Sequence, residues 1–276
     1  MNDLKLSFIG CGVMGESMIA GLLRQKIVEP ENVAASHPRR NRRDELAGKY
    51  GIEVFSDNAA AAKWVATEAQ SAVVICVKPQ RLDRVLADLN GITGPEQLVL
   101  SIVAGATIEK LAASLGTAKI VRAMPNTPSQ IGAGITAWTC TVAVDNSERD
   151  HVRTLLSALG RELFVETENM IDMATSLSAT GPTYIFMVME ALTDAGVHLG
   201  FSRDMAKDLV QETMLGSVRF AIESNKHPAE LRNMVTSPGG TSAEAIYQME
   251  KGSLRTVLSK AVYSAYKRAV DLGKKA

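Results

Sequence analysis

The stretch Leu4-Lys5-Leu6-Ser7-Phe8-Ile9-Gly10-Cys11-Gly12-Val13-Met14-Gly15 decides the fold. Leu4, Leu6 and Phe8 alternate with shorter or polar neighbours, the period of a strand. Beyond the glycines Met14, Met18, Ile19, Leu22 and Leu23 recur at helical spacing, so the order is strand, glycine turn, helix. The glycines match the dinucleotide fingerprint: Gly10 for the tight turn, Gly12 for close approach of backbone to pyrophosphate, Gly15 for close packing of helix on strand. The helix start offers unpaired N–H groups and the positive end of its dipole to phosphates. Three glycines alone would also suit a turn in an unrelated α/β domain. The flanking strand and helix favour the nucleotide.

Working outward, Ile27 to Asn32 forms the turn after the first helix and Val33 to Ser36 the second strand, ending about 20 residues past the last fingerprint glycine. A site for NAD places Asp or Glu at this tip to hold the ribose 2′-hydroxyl, and a 2′-phosphate would be repelled by that carboxylate. Here the tip reads Ser36-His37-Pro38-Arg39-Arg40-Asn41-Arg42-Arg43. A hydroxyl and guanidinium forks suit a phosphate, with Ser36 and Arg39 or Arg40 as the candidates and Arg42 and Arg43 pointing outward. The other reading is a solvated basic helix start.

Glu53 to Phe55 reads as a third strand and Ser71 to Val77 as a fourth, apolar enough to be a buried parallel strand. Carboxyl ends of parallel strands line the ligand crevice, which places Val77, Lys78 and Pro79 along a cofactor; Lys78 also suits a plain solvated strand end. Gln97 to Ile102 is a fifth strand leading to Val103-Ala104-Gly105, and Lys119 to Met124 a sixth leading to Pro125-Asn126-Thr127-Pro128. Such small or kinked residues let backbone approach a flat ring, or simply fix turns. Gly134 to Val144 alternates as further sheet, Glu148 to Leu159 is helical, and Glu162 to Val165 is a last strand. Beyond about Glu168 the β-branched runs give way to Met, Ala and Leu at helical spacing, so the expected domains are 1–166 and 167–276. In the second, Met173 to Val197 reads as one long helix holding Gly181-Pro182, with Arg203 to Ser224 and Leu254 to Leu272 as others. Faces such as Met187, Met189 and Leu192, or Met205, Leu209 and Met214, suit core or dimer contacts.

The stretch Ser237-Pro238-Gly239-Gly240-Thr241-Ser242 opens a further helix. Free N–H groups at 239–242 beside the Thr241 and Ser242 hydroxyls make an anion site, or a helix start without a ligand.

The chain has 276 residues with 30 acidic and 30 basic side chains, so no global field recruits nucleic acid or an anionic membrane. Apolar runs are cut by Gly, Lys or Asp well short of a membrane span. Met-Asn-Asp at the start lacks a basic region, so no secretory signal is expected. Cys11, Cys76 and Cys140 are odd in number and lack CxxC spacing, which argues for a reducing, cytoplasmic setting and against disulfides or zinc. His37, His151, His198 and His227 are scattered and make no metal spacing, and each reads as a surface or helix-end residue.

Taken together, Gly-Cys-Gly-Val-Met-Gly, Cys-Val-Lys-Pro (76–79), Ala-Met-Pro-Asn-Thr-Pro (123–128), Leu-Ser-Ala-Thr-Gly-Pro-Thr-Tyr (177–184) and Val-Thr-Ser-Pro-Gly-Gly-Thr-Ser (235–242) resemble the pyrroline-5-carboxylate reductases, in order along nearly the whole chain. The resemblance implies an α/β N-terminal Rossmann domain with a doubly wound, mostly parallel sheet and an all-α C-terminal dimerisation domain. It implies NAD(P)H-dependent reduction of 1-pyrroline-5-carboxylate to L-proline, in dimers that assemble further, up to decamers. Cofactor contacts would fall on Ile9, Gly10, Cys11, Gly12, Val13, Met14, Ser36, Arg39, Asn58, Val77, Lys78, Pro79, Ala104 and Gly105. Substrate would meet Glu168, Ser178 through Gly181 and Pro182, and Thr241 and Ser242. Two departures stand out: Thr241-Ser242 follows the paired glycines where many members carry Thr-Thr or Ala-Thr, and Ala179-Thr180 replaces Gly-Ser in the substrate loop.

The chemistry suits these residues. A cyclic imine needs a hydride at carbon and a proton at nitrogen, with no nucleophile and no metal. The substrate carboxylate would rest on N–H groups near Gly239 and Gly240, and Ser242 or water would supply the proton, with NADPH the expected cofactor and NADH also usable. A β-hydroxyacid dehydrogenase shares the two-domain build but needs a catalytic lysine, and Lys207, Lys226, Lys251 and Lys260 lie in no recognisable motif. A catalytically inert NADPH-binding regulator would keep the fingerprint without needing the Pro-Gly-Gly-Thr-Ser turn.

Overall fold

The computed structural model describes residues 4–275 apart from Thr67 and Ala69. The first three residues, on which the reading of the chain's start rests, lie outside the described residues. Alternation and glycine punctuation give β1 (Lys5–Ile9), α1 (Val13–Arg24), β2 (Val33–Ser36), α2 (Arg40–Tyr50), β3 (Glu53–Phe55), α3 (Asn58–Lys63), β4 (Ser71–Ile75), α4 (Leu82–Leu89), β5 (Leu98–Ser101), α5 (Ile108–Leu115), β6 (Ile120–Met124), β7 (Gly134–Cys140), α6 (Asn146–Ser157) and β8 (Gly160–Phe164).

The strands form one sheet in the order β3-β2-β1-β4-β5-β6-β7-β8. Every neighbouring pair is parallel except β6 with β7. Near-continuous apolar strands are what a sheet covered on both faces requires. On one face Leu6 and Phe8 pack with Met18, Ile19 and Leu22 of α1 and with Trp138. On the other, Val73, Ile75 and Val99 pack with Leu82, Leu86 and Leu111. Burying those side chains gives each roughly 1.5–3 kcal/mol relative to exposure. The direction of winding reverses between β1 and β4, and that switch point opens a crevice at their carboxyl ends.

The remaining elements are helical: α7 (Asn169–Ala174), a wide π turn over Thr175–Ala179, α8 (Gly181–His198), α9 (Arg203–Ser224), α10 (Pro228–Met234), α11 (Thr241–Lys251) and α12 (Leu254–Lys275). The expected single helix from Met173 to Val197 is thus interrupted, and Pro182 explains why. Proline brings no N–H to bond four residues back, and its ring crowds the carbonyl there. The chain widens instead: Thr180 N–H donates five residues back to Thr175 O at 2.9 Å.

Contacts divide the chain into two units, one of Met1–Thr180 with Ala265–Ala276 and one of Gly181–Ser264. The first therefore extends past the expected boundary at 166/167, because α7 packs Ile171 beneath the sheet against Ala137 and Val165. In the second unit α8 and α9 approach so closely that a Cβ on Gly196 would lie 2.9 Å from the Ala206 Cβ. Among its described residues Ala206 is the one fully buried apolar side chain, while Phe186, Met187, Leu209, Val218, Phe220 and Ile222 are exposed. Helical faces this apolar require a cover. No helix among the described residues is long and apolar enough to cross a membrane.

Candidate active site

Each fingerprint glycine meets the demand placed on it. Gly10 has φ +74°, and a Cβ there would stand 2.0 Å from Val77 Cγ1. Around Gly12 the nearest neighbour of such an atom is the Gly10 carbonyl at 3.9 Å, which leaves the approach to α1 open. A Cβ at Gly15 would press on Cys76 Sγ at 2.7 Å and Cys11 Sγ at 3.2 Å, so this glycine seats the helix on the sheet. Burial pushes the Cys11 thiol up to about 12 and Cys76 well above its ordinary value, so both are packing groups rather than nucleophiles. Gly12 caps α1 with no side-chain bond, and the first α-helical bond is that of Glu16 N–H to Gly12 O. The N–H groups of Val13, Met14 and Gly15 precede it and face the open end, the arrangement that binds a pyrophosphate. An unoccluded glycine, an uncapped helix start and a sheet switch point together fit a dinucleotide.

The tip of β2 departs from expectation in two ways. Ser36 is fully buried; its Oγ accepts the Gly10 N–H at 2.9 Å and donates to Asn58 Oδ1 at 2.7 Å, so no proton remains for a phosphate. Its carbonyl accepts from Cys11 N–H, and Asn58 Nδ2 donates to Asp88. Ser36 and Asn58 therefore brace the glycine loop. Arg42 does not point outward either: it folds back onto α1, pairing with Glu16 there and with Glu45. Glu16 also accepts from Lys49 and Tyr50. Burial alone would raise the Glu16 carboxyl, but the bonds from Arg42, Lys49 and Tyr50 outweigh it and hold the pKa at about 2. Arg43 turns inward as well, donating to the carbonyls of His37 and Pro38 at 2.8 and 2.9 Å. Arg39 and Arg40 alone of the four stay exposed, after the end of β2.

At the other strand ends Val77 and Pro79 are half-buried and Lys78 is exposed. Ala104 is half-buried beside Gly105, whose φ is +76° and whose Cβ, were one present, would lie 3.0 Å from Leu272. The end of α12 thus packs on this loop within the first unit. Asn126 holds its own turn by accepting the Ile135 N–H at 3.0 Å, and its amide reaches Ser178 Oγ at 3.5 Å.

Glu168 is not a free carboxylate. Its Oε1 accepts from Ile108 N–H, the first residue of α5, and from Arg122 Nη1, each at 2.8 Å. Arg122 is 2 % exposed and also pairs with Asp172 at 2.6 Å. The motifs passed over Arg122, yet it is a lone charge in the strand Ile-Val-Arg-Ala-Met, and a charge in a buried strand must be paired. Glu16 carried no comparable signal, since its partners come from α2.

In the second unit the turn before α11 has Gly239 at φ +71°, a backbone that favours glycine. Of the N–H groups expected to be free, that of Gly240 is engaged by Ser237 O at 3.0 Å. Gly240 is the N-cap and supplies no side-chain bond, so the start of α11 at Thr241 and Ser242 keeps open donors. Gly181 and Pro182 begin α8, and no atom lies within 4 Å of a Cβ at Gly181. A cavity of about 420 Å³ opens instead between Ser71, Leu98 and Lys119. These are amino ends of strands, the wrong end of such a sheet for its cofactor.

Sheet order and glycine geometry define a dinucleotide-binding protein of the Rossmann class. The family model for pyrroline-5-carboxylate reductase dimerisation matches residues 168–272, and that for NADP oxidoreductase, coenzyme F420-dependent, matches residues 5–105. A pyrroline-5-carboxylate reductase of Synechocystis is 38 % identical over 99 % of this chain and 100 % of its own. The solved structure of such a reductase from Coxiella burnetii superposes with a TM-score of 0.87 at 34 % identity, covering 98 % of this chain and 99 % of that one. That of the Plasmodium falciparum pyrroline carboxylate reductase with NADP bound gives 0.88 at 29 % identity, covering 99 % of each. The chain belongs to the pyrroline-5-carboxylate reductase family, and its helical part is a dimerisation domain through which it self-associates.

Proposed function

We propose that this protein reduces 1-pyrroline-5-carboxylate to L-proline, the last step of proline biosynthesis, with NADPH preferred over NADH. Full-length similarity to reductases of that name carries the reaction. The preference rests on Arg39 and Arg40, exposed at a β2 tip that holds no carboxylate.

A reduced dinucleotide held at the β1/β4 crevice would supply a hydride for the imine carbon. The N–H groups of Val13, Met14 and Gly15 hold its pyrophosphate, and Arg39 with Arg40 grips the 2′-phosphate. Ser36 and Asn58 keep the loop in shape, while Ile9 through Met14, Val77, Lys78, Pro79, Ala104 and Gly105 flank the cofactor. Substrate contacts are assigned to Glu168, Ser178, Gly181, Pro182, Gly239, Gly240, Thr241 and Ser242. Backbone N–H groups at the start of α11 orient the substrate carboxylate, and orientation accounts for much of the rate. The imine nitrogen takes its proton from Ser242 or water.

The exposed apolar faces of α8 and α9 support a homodimer, extended to a multiple of dimers such as a decamer. We keep 167–276 as the functional unit for substrate binding and dimerisation, beside a dinucleotide-binding unit of 1–166. The free thiols of Cys11, Cys76 and Cys140 support a cytoplasmic location. The test is purified protein with 1-pyrroline-5-carboxylate and NADPH, followed at the nicotinamide absorbance. Oxidation that requires both the substrate and the protein is expected. NADPH binding without turnover would mean an inert binder.

A further inference from the structure

We propose that Arg122 is a positioning residue for Glu168, holding one carboxylate oxygen so that the other is presented to substrate. The proposal rests on the reading of Glu168 as a substrate residue given above. Oε1 of Glu168 is held from two directions, by Arg122 Nη1 and by the N–H of Ile108, both at 2.8 Å. Ile108 opens an eight-residue helix, so its N–H also brings the positive end of α5 to the same oxygen. The side chain of Glu168 is 32 % exposed against 2 % for Arg122, so Glu168 is open to solvent in part while its anchor is not. Two charge-assisted bonds on one oxygen fix the rotamer and leave the other oxygen to accept from the N–H of a protonated imine or of the secondary ammonium it becomes.

Arg122 is built into the sheet for this purpose. It lies on β6, paired in register with Thr139 of β7, so its Cα cannot shift without breaking the ladder. Its second arm holds Asp172 of α7 at 2.6 Å. Glu168 caps α7 and Asp172 lies one turn inside it, on the helix that continues into the π turn carrying Ser178. The two terminal nitrogens of the fork each hold one carboxylate, at a fixed spacing that a single ammonium nitrogen does not reproduce. Arg122 Nε is buried with no partner. Leaving a donor unmet is costly, and the two paired arms account for its retention.

The test compares Arg122→Lys with Asp172→Asn. Arg122→Lys keeps the buried cation but loses the fork, and is expected to raise the KM for 1-pyrroline-5-carboxylate by roughly tenfold or more while the KM for NADPH stays within about twofold, since a charged hydrogen bond is lost. Asp172→Asn removes the other arm's ion pair while both donors to Glu168 remain. It is expected to lower the melting temperature with substrate KM little changed. Adding Arg122→Lys to Glu168→Gln should then cost far less than the product of the two single effects. Equal KM changes in Arg122→Lys and Asp172→Asn, or multiplicative effects with Glu168→Gln, would reduce Arg122 to a packing residue and overturn the proposal. Failure of the functional reading is separate, because it would appear as no imine-dependent turnover in the unaltered protein.

Discussion

Gly10 and Val77 leave no space between them: a Cβ on Gly10 would stand 2.0 Å from Val77 Cγ1, at a φ of +74°. Gly12, two residues on, has φ −87° and nothing nearer than 3.9 Å. The two glycines should therefore fail differently. Gly10→Ala combines backbone strain with overlap and should destabilise the fold by about 2 kcal/mol or more. Gly12→Ala should leave stability within about 1 kcal/mol but weaken NADPH binding by roughly tenfold or more, because its methyl fills the pyrophosphate's place. Denaturant unfolding and NADPH fluorescence titration separate the two, and equal effects on both measurements would contradict this division.

Recognition of the 2′-phosphate is expected to depend on Arg39 and Arg40. The double change to Ala should lower the ratio of kcat/KM for NADPH over NADH by roughly tenfold or more. Ser36→Ala should lower both efficiencies together, because its hydroxyl holds Gly10 rather than phosphate. An unchanged ratio in the arginine variant would place phosphate recognition elsewhere.

Glu16 makes acid stability testable. A carboxyl held at about 2 when folded and near the ordinary value of 4.5 when unfolded contributes stability above pH 4.5 and loses it as pH falls toward 2. Glu16→Gln should melt below the unaltered protein at neutral pH, by no more than about 1 kcal/mol since the group is partly solvated. That gap should close between pH 4.5 and 2. A gap constant through that window would mean that the ion pairs contribute nothing.

Ala206 is the one fully buried apolar side chain among the described residues of the helical unit, so light scattering at micromolar concentration should report at least twice the chain mass of 29.6 kDa. Unfolding should also shift to higher temperature as concentration rises. A monomer mass together with concentration-independent melting would contradict both.

At the start of α11, Ser242→Ala should reduce turnover by roughly threefold to tenfold if the hydroxyl only positions substrate, and by about a hundredfold or more if it is the acid. The smaller effect is expected, since the imine can arrive protonated. Gly240→Val should lose substrate binding while sparing NADPH, through a different route from a blocked anion: its Cβ would lie 2.5 Å from Ser237 Oγ and break the turn. NADPH affinity falling in step with substrate affinity would rule out so local an effect.

Local chemistry determined much of this protein. Alternating apolar residues and glycine spacing placed β1, the turn and α1, and the strand set to β6 followed from apolar runs that only a doubly covered parallel sheet can hide. The family was legible because its motifs are short, contiguous and glycine- or proline-rich, where backbone geometry restricts residue choice. Tertiary structure decided what depends on partners far along the chain. Ser36 could be counted as a phosphate ligand until the approach of Gly10 and Asn58 took up its hydroxyl, and Arg42 looked solvated until α1 presented Glu16 to it. Arg122 and Glu168 stand 46 residues apart, and no local pattern links them. Side-chain direction at a loop and the pairing of a buried charge are set by whatever else the fold brings within about 3 Å, which is information the order of residues does not display.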